Sequence, residues 1–146
     1  MKKRNEIENF LKKFNLEDFN KTDKVSKYFE FFELNKLLSS NHYNIFKPEK
    51  NDLSRIHFLI LNRKVISYLE FGSGYSTLFA AHAISILKDF FFDYVRNKFR
   101  YDNPFHIYSI EESQKYLTVA KKLCKKVRNF ISIKYSPVDI TVDNLS

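Results

Sequence analysis

Apolar residues recur at helical spacing in the first part of the chain: Ile7, Phe10, Leu11 and Phe14, then Val25, Tyr28, Phe29, Phe32 and Leu37. Ser39, Ser40 and Asn41 end the second stretch, and "HYNIFKPEKN" (42–51), which holds Pro48, reads as a connection. Asp52 can cap a third, short helix carrying Leu53, Ile56 and Leu59 or Ile60. Residues 1–64 contain no glycine and no strand pattern, which predicts a helical N-terminal extension.

From residue 65 the pattern changes to strand, turn, helix. "VISYLEF" (65–71) stops at a glycine and suits a strand buried on both faces. Phe79, Ala83, Ile86, Leu87 and Phe90 then mark the apolar stripe of a helix, which "DFFFDYVRNKFR" (89–100) either continues or follows with a second one. "FHIYSI" (105–110) reads as the next strand, Ser113 as the cap of the following helix, and Tyr116, Ala120, Leu123 and Val127 as that helix's inner face. Asn129 is its stop, and "FISIKY" (130–135) is a third strand before Pro137. Alternating β, α, β, α, β predicts an α/β domain over residues 65–146, a parallel sheet with crossover helices.

Composition adds bounds. The 146 residues are 44% hydrophobic, with sixteen Phe and nine Tyr, enough for one packed domain. "HFLIL" (57–61) and "AAHAISIL" (80–87) are too short for the ~20 apolar residues of a membrane span. Cys124 is the single cysteine, so no internal disulfide forms, and a reducing cytoplasm is the expected compartment. The net charge of +8 raises the question of nucleic acid. Residues 1–64 carry 14 Lys/Arg against 9 Asp/Glu and residues 65–146 carry 11 against 8, so the charge is spread and interleaved, which argues against that partner. The densest cluster, Lys121, Lys122, Lys125, Lys126 and Arg128, reads as the solvated side of one helix.

Both glycines of the chain, Gly72 and Gly74, fall between the first strand and its helix, where parallel α/β sheets hold nucleotides. Missing Cβ atoms let a ligand approach the backbone there, and the new helix presents unsatisfied N–H groups. Glu70 lies just before the turn, where a buried carboxylate should face a cation or a loop N–H. Glu111 occupies the matching place on the second strand, where an acid can accept hydrogen bonds from ribose hydroxyls.

"LEFGSGYST" and "IYSIEESQKYLTVAKK" resemble motifs I and II of the class I S-adenosylmethionine-dependent methyltransferases over roughly residues 65–136. The first motif reads Glu70, Phe71, Gly72, Ser73, Gly74, Tyr75, Ser76, with Ser76 in place of the family's third glycine. The resemblance implies a Rossmann-like sheet and S-adenosylmethionine as cofactor, with a small molecule or sugar hydroxyl as methyl acceptor. It implies that Glu70 to Gly74 flank the methionine end and that Glu111 holds the ribose hydroxyls, with Glu112, instead or in addition, approaching the adenosine. Tyr75, Ser76 and Thr77 would offer hydroxyls and N–H groups to the cofactor carboxylate besides capping the helix. The sequence reaches the first three strands of such a sheet and stops before the fourth, so no catalytic residue is assigned. The first strand is then expected at a sheet edge, covered by the N-terminal helices or by self-association.

Other chemistries fit less well. A dinucleotide fingerprint needs a third glycine where Thr77 stands and an acid ~20 residues on, whereas Glu111 is 39 residues after Gly72. No Gly-Lys-Ser/Thr phosphate loop and no nucleophile elbow occur. His42, His57, His82 and His106 have no metal-ligand spacing with one another or with Cys124, and no metal is expected. His82 and His106 read as structural, and Cys124 as a buried, inert thiol. A non-catalytic module with the same crevice is the alternative, and a basic nucleic-acid domain the third reading.

Overall fold

The computed structural model describes residues 2–39, 49–100, 102–125 and 131–136. The expected features at Ser40, Asn41, His42, Pro48, Lys126, Val127, Arg128, Asn129 and Pro137 lie outside the described residues. Helix α1 spans Arg4–Leu11, and a 3-10 helix follows at Leu16–Asn20. Asn15 and Asp18 cap that short helix reciprocally, each side chain accepting the other's backbone N–H. Helix α2, Thr22–Phe32, and the short α3, Asn35–Ser39, divide what the periodicity joined into one stretch. Glu33 breaks them in the left-handed conformation at φ 55°, and Leu34 N–H returns to Phe29 O, closing the helix end without a glycine.

Helix α4, Lys50–Arg63, starts at Glu49 without a side-chain cap, so Asp52 lies inside the first turn instead of capping it. Strand β1 is Ser67–Phe71, helix α5 is Tyr75–Lys98, strand β2 is His106–Glu111, helix α6 is Gln114–Leu123 and strand β3 is Ile131–Tyr135. The Phe-rich stretch after residue 88 continues α5 as one helix of 24 residues. Ser113 caps α6 as expected, accepting from Tyr116 N–H.

The sheet is three-stranded and wholly parallel in the order β1-β2-β3, with Glu70 opposite Ser109 and Ser109 opposite Ile133. The chain is therefore a mixed α/β protein. Helices α5 and α6 pack against the strands, and α4 lies along α5. One core runs through both halves, from Ile7, Phe19 and Tyr28 through Phe58 and Phe79 to Ile84 and Ile107. Tyr28 sits at its centre, edge-on to Phe19 with ring centroids 5.1 Å apart.

The expectation of a first strand buried on both faces is corrected. Glu70 and Ser109 are buried on the helix side, whereas Leu69 and Phe71 are 57% and 71% exposed on the other. Three consecutive parallel strands joined by α5 and α6 carry both helices on one face, so among the described residues no helix packs on the alternate residues of β1. Among the described residues, no helix is long and apolar enough to cross a membrane.

Candidate functional site

The strand-to-helix turn is held by two carboxylates. Gly72 takes φ +90°, a conformation that side-chain-bearing residues rarely adopt, and its N–H donates to Ile110 O at 2.7 Å. Glu111 comes in from β2: its Oε2 accepts from Ser73 N–H at 2.7 Å and Ser73 Oγ at 3.0 Å, and its Oε1 accepts from Ser113 N–H at 2.9 Å. Burial pushes the Glu111 carboxyl up, but these donors outweigh it and hold it below the ordinary carboxylate value. Glu111 is therefore an anion at neutral pH.

Glu70 holds the turn from the other side. Thr77 Oγ1 donates to Glu70 Oε1 and itself accepts Gly74 N–H at 3.0 Å, while Ser76 Oγ donates to Glu70 Oε2 at 3.1 Å. Tyr68 adds a long bond of 3.4 Å. Among the described residues no cation or loop N–H is bonded to Glu70, and hydroxyl groups satisfy this carboxylate. Burial raises the Glu70 carboxyl above its ordinary value, and the neighbouring hydroxyls of Thr77, Ser109, Ser76 and Tyr68 lower it only partway back. Ser109 Oγ, across the register from Glu70, is buried and lacks a hydrogen bond of good geometry.

A cavity of about 510 Å³ opens at the carboxyl ends of β1 and β2. Its floor is Gly72, Ser73, Gly74, Tyr75 and Ser76, with Glu111 beside them. Leu53, Ile56, Tyr116, Val119 and Leu123 make an apolar wall, and Glu49 and Asp52 close it from the start of α4. A Cβ placed on Gly72 or Gly74 would meet no atom within 4 Å, so both glycines face open space. At the head of α5, Leu78 N–H is the first to bond within the helix, to Gly74 O, leaving the N–H groups of Tyr75 and Ser76 without intrahelical acceptors at the cavity wall.

Six of the ten residues expected at the site thus share the cavity, and four do not line it. Glu70 and Thr77 lie beneath the turn, their polar atoms engaged with each other. Phe71 points to the uncovered face, and Glu112 is exposed beside Ser113. The Ser76 and Thr77 hydroxyls face Glu70 and are not turned to the cavity, whereas the backbone N–H groups of Tyr75 and Ser76 remain as donors of that helix turn. Glu49, at the cap position before α4, and the α4 residues Asp52, Leu53 and Ile56 are site residues that sequence reasoning missed. Their place is set by how α4 packs along α5, which no local spacing encodes.

The lining charges have one sign. Glu49, Asp52 and Glu111 are acidic, and no Lys or Arg lines the cavity among the described residues, although the whole chain is at +8. Arg55 neutralises part of Asp52 at 2.6 Å from outside the lining. The described residues contain no group of three or more His, Cys, Asp or Glu able to hold a metal ion. The chain matches no protein-family model, no curated protein and no solved structure.

Proposed function

We propose that this cavity holds S-adenosylmethionine and that the protein is the cofactor-binding part of a methyltransferase acting on a small molecule or a sugar hydroxyl. The observation that carries the reading is the acidic lining around a glycine turn. S-adenosylmethionine brings a sulfonium and an ammonium against one carboxylate, so it is a net cation. A dinucleotide would bring a pyrophosphate dianion against Glu49, Asp52 and Glu111, with like-charge repulsion and no basic residue among the described lining residues to offset it. The apolar wall suits an adenine ring, and the volume lies within the roughly 300–1,000 Å³ of small-molecule sites. In this reading the three parallel strands are the first three of a Rossmann-like sheet.

Glu111 has about four acceptor positions, and Ser73 and Ser113 occupy three of them. The Glu112 N–H approaches the same carboxylate, so a ribose hydroxyl must displace a donor already there, most simply by rotation of the Ser73 hydroxyl. Methyl transfer depends on holding an acceptor in line with the sulfonium, and the acceptor wall is not assigned to any described residue. A second reading draws on the same saturation of Glu111. There the acid only bolts the turn, and the protein is a non-catalytic module of this fold.

Calorimetric titration with S-adenosylmethionine, S-adenosylhomocysteine and NAD separates these readings. We expect both sulfur compounds to bind, the sulfonium more tightly and with greater loss in salt, and NAD not to bind. Gly74→Ala keeps the fold, since Gly74 has extended φ and open space at its Cβ, yet sets a methyl against the ligand. It should weaken binding roughly tenfold, equivalent to about 1.4 kcal/mol. Absence of binding to folded protein would sink the proposal in favour of the non-catalytic module.

A further inference from the structure

A second cavity of about 510 Å³ lies at the opposite end of the sheet from the glycine turn. Ile66, just before β1, and Phe105, just before β2, form its floor, and the latter half of α5 forms its long wall. Phe105 is 1% exposed and held at φ 61°, a rare conformation for a bulky side chain, with its N–H donating to Ile66 O. That bond closes the floor's backbone on itself, so the cavity offers no strand ladder to a polypeptide. Leu87, Val95 and Phe99 complete an uncharged interior. Tyr94 and Phe99 stand in the wall 60% and 51% exposed, a large aromatic area left open among the described residues.

Charge is confined to one side. Arg4, at the start of α1, places its guanidinium 4.3 Å from the Phe91 ring centroid, and Lys64, at the end of α4, places its ammonium 5.8 Å from the same ring. Glu8 is the acid beside them, bonded to Arg4 at 3.0 Å and kept below its ordinary value first by that bond and also by the charges of Arg4 and Lys64. Lys64 makes no ion pair among the described residues. Two cations against one carboxylate leave one positive charge at the edge of an apolar chamber.

We propose that this chamber binds an apolar carboxylate, aliphatic or aromatic, with its head group at Lys64 and Arg4 and its body over Phe105 and Val95. A neutral apolar molecule would gain the burial but leave the cation unanswered, and an apolar cation would be repelled. The site is separate from the proposed cofactor cavity, and its ligand does not depend on that reading.

The test is titration of the full chain with decanoate, decan-1-ol and decyltrimethylammonium, each below its micellar concentration. Calorimetry gives the affinities, and the aromatic carbon resonances of selectively labelled phenylalanine give the location. Decanoate should bind roughly tenfold more tightly than the alcohol, as one charge-assisted bond supplies. The ammonium compound should bind least, and the resonances of Phe91 and Phe105 should move. Lys64→Gln removes an exposed charge and should erase the preference for decanoate while leaving decanol affinity unchanged. Val95→Phe fills the chamber and should weaken both. Equal affinity for the three compounds, a preference that survives Lys64→Gln, or shifts confined to Phe71 on the open sheet face would each overturn the assignment.

Discussion

Three polar residues, the buried Tyr28 and His57 and the half-buried His82, hold one another. Tyr28 donates to His57 Nδ1 at 2.8 Å, and His57 Nε2 meets His82 Nδ1 at 2.9 Å, a chain inside the aromatic core. Tyr28 has no other acceptor among the described residues, so its hydroxyl donates and the His57 proton sits on Nε2, aimed at His82. Burial drives His57 well below its ordinary value, with the His82 charge adding to it, and lowers His82 to about 4 against a slight upward pull from Glu33. Both histidines therefore stay neutral when folded, whereas the unfolded chain takes up protons below about pH 6.5. Stability from this pair is complete above that pH and is lost as pH falls from about 6.5 toward 4, by about 3 kcal/mol for His82 alone. Urea unfolding midpoints should fall across that window, and His82→Asn should flatten the decline. A wild-type midpoint that holds steady from pH 7 to pH 5 contradicts the neutral pair.

At the scale of elements, the turn between β1 and α5 separates two glycines that look alike in sequence. Gly72 sits at φ +90°, where an added methyl meets no atom but the backbone itself is strained for any L residue. Gly74 has φ 166°, extended backbone, and equally open surroundings. Gly72→Ala should therefore destabilise the fold by about 1–2 kcal/mol, and Gly74→Ala by no more than about 0.5 kcal/mol. Chemical denaturation of the two variants in parallel checks this; similar losses in both would show that the turn, not one φ angle, sets the requirement. Helix α5 was legible as a stripe of apolar positions and Ser113 as a cap, because both are local signals. The break at Glu33 was not legible, because the left-handed residue is a glutamate where a glycine is the usual mark.

Taken whole, the molecule has one finished side and one unfinished side. Helices pack on one face of the sheet, while Leu69, Phe71 and Tyr108 stand 57%, 71% and 39% exposed on the other. Strand β1 is also an edge, with β2 as its one neighbour among the described strands. If the expected self-association occurs, this face and edge are where copies of the chain would meet. Sedimentation velocity should show association rising with protein concentration. Leu69→Thr with Phe71→Thr should return the protein to monomer with its unfolding midpoint kept. A wild type that stays monomeric at every concentration would refute the expectation.

The sequence by itself determined the elements around the site and the two carboxylates that frame it. Strand runs, helix stripes, a capping serine and two glycines are all written within a few residues of where they act. Tertiary structure decided what each carboxylate does. Glu70 and Glu111 lie near the carboxyl ends of neighbouring strands, Glu111 two residues beyond the partner of Glu70, yet packing aims one under α5, among hydroxyls that burial leaves it to share, and the other into backbone N–H groups at a cavity rim. It also decided that the start of α4 supplies acids and apolar wall to that cavity, and that the described helices cover one face of β1. These outcomes depend on which element lies against which. That choice is made by the shape of the shared core and carries no short-range signature in the chain.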